Sequence, residues 1–178
     1  MFTAEEERKC VPPRSVTCAN DEEMIITGFA RAEALCNEIE ASRGSVALIA
    51  FSDELFAKTA SHATQQNKPV EILKERGDIE VVQRAEKSGR FIVSTPEYVG
   101  GLEFDAVVLI GVDEGRVPPT RTLETTDSSN FLTYAAHNRL YVSITRAKYR
   151  VEIMAAKDRG LSPLLQNAIA HNVLTVES

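Results

Sequence analysis

Three short runs of uninterrupted apolar residues constrain the fold of this chain most strongly. They span residues 46–51, 91–93 and 106–110. Such runs are typical of strands that are buried on both faces, as in parallel sheets that helices cover on either side. The chain is therefore predicted to build its core around a buried sheet.

Segments with helical spacing of apolar residues lie between and around these runs. Helices are predicted near residues 20–42, 52–67, 78–88, 131–148 and 162–171, and further strands near 16–18, 69–73, 150–155 and 173–176. Alternating strands and helices imply βαβ units with right-handed crossovers. The sequence thus predicts an α/β fold with a mainly parallel sheet and helices on both faces.

The composition indicates one globular domain. Of the 178 residues 43% are hydrophobic, and neither a repeat nor a linker divides the chain. We expect a single domain over residues 1–178, with 1–15 as a flexible N-terminal segment. The apolar runs fall far short of the roughly 20 residues of a membrane span, and the acidic N-terminus has no signal region. Three cysteines without a close pair argue against a disulfide framework or a zinc site and indicate the cytoplasm.

The distribution of charge leaves two interpretations open. The net charge of −6 argues against a protein that coats nucleic acid electrostatically. Residues 139–159, however, contain six basic residues and only two acidic ones. This segment is either a local anion site on an acidic body or the solvated face of a helix.

A polar loop joins the second apolar run to the third. It contains Gly100 and Gly101, where the backbone can approach a ligand closely because no Cβ intervenes. In parallel sheets ligands gather at the carboxyl ends of strands, and this loop leaves such an end. The glycines alone favour a plain turn between two buried strands, in which Glu103 is solvated. No Gly-x-x-x-x-Gly-Lys-Ser/Thr sequence occurs in the chain, so the chain alone is predicted not to hydrolyse ATP.

Two arginines share one face of the predicted helix 131–148. Arg139 and Arg146 are seven residues apart, which is two helical turns. The helix is either simply amphipathic, with its arginines in water, or it holds an arginine that reaches a nucleotide on a neighbouring domain. Helical spacing does not choose between these alternatives.

Both segments resemble conserved motifs of one helicase family. Residues 95–105, TPEYVGGLEFD, are similar to motif V of the UvrD/Rep-type superfamily 1 DNA helicases, T-x-H-x-x-K-G-L-E-F-D. Residues 138–148, NRLYVSITRAK, are similar to motif VI, which ends in Thr-Arg-Ala. The resemblance implies the second RecA-like domain of such a helicase, the C-terminal domain with motifs IV to VI. A domain of this kind has the fold of P-loop NTPases but lacks the P-loop.

The resemblance also implies site residues and partners. Arg146 matches the arginine finger that acts on the γ-phosphate, and Gly101 and Glu103 match positions beside the nucleotide. Ser94 and Thr95 match positions that contact the backbone of single-stranded DNA. ATP with Mg²⁺ would be bound mainly by an N-terminal RecA-like domain that carries the phosphate-binding loop; no metal ligand is assigned to this chain, and no membrane partner is implied.

Three departures from the family pattern support a second hypothesis. Glu97 stands at the motif V histidine position, Gly100 stands at the lysine position, and Phe51 stands where the motif IV arginine is expected. A carboxylate beside phosphates repels them, so weak binding of DNA is expected. The alternative to a motor domain is therefore a non-catalytic, helicase-like interaction or regulatory module.

Overall fold

A computed structural model describes residues 3–120 and 126–177 of the protein, and the side chains of 126–129 are left aside. The helices are α1 (Ala4–Lys9), α2 (Asp21–Glu38), α3 (Asp53–Gln65), α4 (Ile79–Ser88), α5 (Thr126–Ile144) and α6 (Gln166–Ala170). The strands are β1 (Arg14–Cys18), β2 (Val46–Ala50), β3 (Val70–Ile72), β4 (Phe91–Ser94), β5 (Phe104–Ile110), β6 (Ala147–Ala156) and β7 (Thr175–Glu177). Short 3₁₀ turns occupy Arg43–Ser45 and Pro163–Leu165.

The described strands form one sheet in the order β3-β4-β2-β5-β6-β1-β7, and every pair is parallel. This confirms the predicted α/β fold with a parallel sheet. The crossovers from β1 to β2 and from β2 to β3 run toward one edge, whereas all later crossovers run toward the other. Because parallel crossovers are right-handed, α2 and α3 cover one face of the sheet, and α4 and α5 cover the opposite face.

Alternate residues of each central strand supply two separate core layers. In β2, Leu48 packs under α2 and α3, while its neighbour Ile49 packs under α4 and α5. Both side chains are fully buried. This two-sided burial explains why the strands are uninterrupted apolar runs rather than alternating ones.

The helices begin at the polar residues that the sequence favours as caps. The side chains of Asn20, Ser52 and Asp78 each accept a hydrogen bond from the backbone N–H three residues later, at the starts of α2, α3 and α4. Gly89 ends α4 with a φ of 61°, a left-handed conformation that costs glycine no steric strain. Local chemistry therefore fixes these boundaries.

One predicted helix is misplaced. The prediction of 131–148 is wrong at both ends, since α5 spans Thr126–Ile144. Arg146 lies in the turn after the helix, because its carbonyl oxygen already accepts a hydrogen bond from Phe104 N in β5, at 2.8 Å. The polar, turn-rich sequence of residues 115–129 predicts a loop, but this segment overlaps the start of α5, and its residues 121–125 lie outside the described part.

The N-terminal segment contains α1, which a capping box between Thr3 and Glu6 stabilises at its start. The Tyr149 hydroxyl contacts the Glu6 carboxylate at 3.3 Å. The flexibility of residues 1–15 stays a prediction. No helix among the described residues is long and apolar enough to cross a membrane.

Candidate functional site

Residues 95–103 cross one face of the sheet, and we term them the crossing loop. They leave the carboxyl end of β4 and reach the amino end of β5, because both strands run parallel to β2. Val99 anchors the middle of this loop, fully buried in the core layer under α4 and α5. The sequence predicts that this loop lies at the carboxyl edge of the sheet, and that prediction is right only for the beginning of the loop. Ser94 and Thr95 lie at that edge, whereas Gly101 and Glu103 lie at the amino edge.

Arg146 joins Gly101 and Glu103 at the amino edge. Its Nη1 donates to the Leu102 carbonyl at 3.3 Å, and its Nε donates to the Val142 carbonyl at 3.2 Å. Nη2 donates to Thr145 Oγ1 at 3.3 Å. A long-range contact thus ties the Arg146 guanidinium to the end of the crossing loop, and the structure brings these three predicted nucleotide-side residues together.

Gly101 and Glu103 leave this edge open. Gly101 has a φ of +84°, and a Cβ added there would meet no atom within 4 Å. The Glu103 side chain is 70% exposed, and Lys148 Nζ approaches its carboxylate only to 4.0 Å. The backbone and the carboxylate are both accessible to a ligand that reaches Arg146.

At the carboxyl edge, the predicted DNA-side residues are turned into the domain. Ser94 is fully buried, and its hydroxyl donates to the Leu73 carbonyl at 3.1 Å. Thr95 is 4% exposed. Their assignment to DNA binding stays a prediction, and any contact of Ser94 through its hydroxyl would have to displace the bond to Leu73.

Two long-range contacts at the crossing loop were not predicted. A Cβ added at Gly100 would lie 3.2 Å from Nη2 of Arg76, an exposed residue in the loop after β3. In addition, Arg139 Nε lies 2.6 Å from Glu97 Oε1 in an ion pair. A cation therefore lies beside the position of the missing family lysine, and the carboxylate that replaces the family histidine is paired with Arg139. No sequence signal indicates either pairing, since the partners are 24 and 42 residues apart.

A cavity of about 610 Å³ lies further along the carboxyl edge. Its lining includes the start of α2, the side of α3 and the loop that follows β5. Arg116 lines this cavity and donates hydrogen bonds to Asp113 at 2.8 Å and to Asp21 at 2.6 Å. Asp113 is fully buried, and burial raises the pKa of its carboxyl group while Arg116 opposes that shift. The charges of Arg116, Asp113 and Asp21 are therefore paired with one another within the domain. Over the described residues, no cluster of histidine, cysteine or carboxylate side chains could hold a metal ion.

Comparisons with known proteins agree with this architecture. The family model of the UvrD-like helicase C-terminal domain matches residues 56–158. Among solved structures, the C-terminal domain of a possible DNA helicase from Lactobacillus plantarum WCFS1 superposes with a TM-score of 0.63 at 18% identity, covering 98% of this chain and 93% of that one. An XPD helicase gives 0.59 at 13% identity, with 93% of this chain and 35% of that chain covered. A search of curated proteins finds no significant match.

The structural matches establish the fold alone, at these identities, as that of a RecA-like helicase domain. The chain spans about a third of the XPD helicase that it resembles. The family model, by contrast, covers more than half of the sequence and includes both motif segments. The protein belongs to the UvrD-like helicase C-terminal domain family, which implies a partner N-terminal motor domain.

Proposed function

We propose that this chain is the C-terminal motor domain of an ATP-dependent DNA helicase. In this role it completes the ATP site of the N-terminal motor domain with Arg146 and couples hydrolysis to translocation on single-stranded DNA. The observation that carries the proposal is the convergence of Arg146, Gly101 and Glu103 at one open edge of the sheet. These residues come from two separate motifs, since Arg146 is 45 positions from Gly101 and 43 positions from Glu103 in the sequence.

The residues at the amino edge fit one side of a bound ATP. A guanidinium has five N–H donors, and three of the donors of Arg146 form the hydrogen bonds described above. The remaining N–H groups suit phosphate oxygens, whose charge develops during phosphoryl transfer. The exposed Glu103 carboxylate suits the hydroxyl groups of a ribose. ATP with Mg²⁺ supplies the phosphoryl chemistry, and the phosphate-binding loop for it belongs to the N-terminal domain.

The carboxyl edge is the proposed track for DNA, with Ser94 and Thr95 as the predicted contact positions. The Arg76 guanidinium, which lies beside Gly100 of the crossing loop, supplies a cation for a phosphate contact. Glu97 opposes DNA less than its sequence position indicates, because Arg139 pairs with it. This pairing weakens one of the arguments for a non-catalytic module. Opening and closing of the cleft between the two motor domains would then move the strand past this edge.

The test combines this chain with its N-terminal motor domain and measures ATP hydrolysis with and without single-stranded DNA. We expect neither domain alone to turn over ATP at a steady rate, and the pair to do so with stimulation by DNA. Unwinding of a tailed duplex is measured on the same samples. Steady ATPase activity of the purified 178-residue chain, or an inactive pair whose two domains are folded and bound, would refute the proposal.

A further inference from the structure

The outward face of α5 is unusual for a surface helix. It carries the only three aromatic side chains that are largely exposed among the described residues, with exposed fractions of 69% for Phe131, 67% for Tyr134 and 64% for Tyr141. The other described aromatic residues are buried or half-buried. Scattered exposed apolar residues are normal, but a cluster of aromatic ones indicates a contact surface.

These aromatic residues lie on one line along the helix. Spacings of three and four residues bring positions 131, 134, 138, 141 and 145 onto one face. We call this face the α5 stripe: Phe131, Tyr134, Asn138, Tyr141 and Thr145. It points away from the core, because Ala136, Leu140 and Ser143 occupy the opposite, buried side of the helix.

The α5 stripe also lacks the charges that keep a surface helix in water. Between residues 130 and 145 the only formally charged side chain is Arg139, and its charge is paired with Glu97 of the crossing loop. A helix with apolar residues on both its inward and outward faces is normally covered on both. Docking on this face would bury no unpaired charge. Burial of an unpaired charge costs much free energy, and that cost is avoided here.

We infer that the α5 stripe is the surface on which the N-terminal motor domain docks. The inference rests on the proposed function and adds the contact residues to it. The stripe ends at the nucleotide side of the domain, since Nη2 of Arg146 donates to Thr145, the last member of the stripe. A domain that presents its nucleotide to Arg146 must therefore lie against the surface next to Thr145, and the uncharged stripe leads away from that point.

The size of the stripe suits part of a stable interface. Phe131 and Tyr141 are ten residues apart, which is about 15 Å along the helix axis. Aromatic side chains bury about 150–250 Å² each, so three that are two-thirds exposed offer roughly 400 Å². That is about half of the roughly 800 Å² that each partner contributes to an interface of standard size. Tyrosines at such positions are frequent hot spots of binding.

The decisive experiment measures the affinity of this chain for its N-terminal motor domain in the presence of a non-hydrolysable ATP analogue. The test variant is the triple substitution Phe131→Ser, Tyr134→Ser and Tyr141→Ser. The matched control is Ile79→Ser with Val173→Ser, because these side chains are 60% and 56% exposed outside the stripe. Thermal unfolding of each variant, which should stay within a few degrees of the wild type, checks that the fold is retained.

We expect the triple variant to bind the N-terminal domain at least tenfold more weakly and the control variant to bind within twofold of the wild type. Hydroxyl-radical labelling should also show protection of the three aromatic residues in the wild-type pair. Unchanged affinity of a folded triple variant would overturn the inference. So would loss of self-association, which makes the stripe a homodimer interface, or loss of single-stranded DNA binding alone, which makes it a stacking platform. A wild-type chain that does not bind the N-terminal domain at all refutes the proposed function itself.

Discussion

Replacing Arg146 by alanine should separate its proposed catalytic role from its structural one. The change removes the hydrogen bond to the Leu102 carbonyl, which is the only long-range bond of the guanidinium among the described residues, together with two local bonds. One such bond from a half-buried side chain is worth about 1 kcal/mol. For a domain of this size that lowers the melting temperature by about 2–4 °C. The domain should therefore stay folded.

The effect on catalysis should be much larger than the effect on stability. Loss of a transition-state arginine in phosphoryl transfer costs about a thousandfold or more in rate, which corresponds to about 4 kcal/mol of barrier. Because the arginine acts mainly on charge that develops during the reaction, the affinity for ATP should fall far less than kcat. Arg146→Lys should restore little, since an ammonium keeps the charge but loses the planar fork.

The assay is steady-state ATP hydrolysis by the complete motor on saturating single-stranded DNA, with thermal unfolding measured on the same protein. Arg43→Ala is a suitable control, since Arg43 is a surface arginine that pairs with Glu33 at 2.9 Å and lies in the turn before β2. Its kcat should stay within about twofold of the wild type, as expected for a surface ion pair. If Arg146→Ala instead unfolds the domain, or keeps normal kcat per folded molecule, Arg146 is a structural residue and the assignment is wrong.

Four further outcomes are expected. The isolated chain should show no steady ATPase activity and only weak ATP binding in calorimetry, since it has no phosphate-binding loop. Glu103→Ala in the complete motor should raise KM for ATP more than it lowers kcat; the reverse pattern in steady-state kinetics would contradict a binding role. Arg76→Ala should weaken single-stranded DNA binding and lower the salt slope by about 0.7, and adding Gly100→Lys should restore both in fluorescence titrations. Gly44→Ala places a Cβ 2.5 Å from the Glu86 backbone and should cost about 2–3 kcal/mol, whereas Gly100→Ala should leave the melting temperature almost unchanged.

The elements that could be predicted from the sequence are those that local chemistry determines. The buried strand β2 and the caps at Ser52 and Asp78 depend on neighbouring residues, and each is where the sequence indicates. The end of α5 is different. Helical spacing continues past Ile144, but the backbone N–H of Phe104 in β5 donates a hydrogen bond to the Arg146 carbonyl. This long-range bond ends the helix.

In the candidate site, too, the features that local sequence determines could be predicted, and those that depend on long-range contacts could not. The motif segments identify Arg146 and Glu103 because their residue types and order are contained in short stretches of chain. The contact of Arg76 with Gly100 and the pair of Arg139 with Glu97 bring together residues that are distant in sequence. Only the path of the crossing loop over the sheet explains them, and that path depends on the pairing of β4 and β5 with β2.

The crossing loop connects the two edges of the proposed motor by a short path. From the register, Ser94 lies level with Ile49, and Phe104 begins two residues before the level of Val46. The loop must therefore descend about 17 Å along the strands and move about 10 Å across them. Nine extended residues reach at most about 30 Å, and hydrogen-bonded turns at Thr95 and Val99 shorten this reach.

Helix α5 and the turn that follows it hold this short loop at both ends. Arg139 pairs with Glu97 near its beginning, and Arg146 binds the Leu102 carbonyl near its end. Val99 is fixed in the core between these points. A shift of Arg146 toward a nucleotide would therefore pull on Leu102, and a short loop that is anchored to α5 and to the turn after it moves with the helix rather than by itself. In the proposed motor, α5 and the crossing loop would thus act as one body that carries a displacement at the nucleotide edge to the DNA edge.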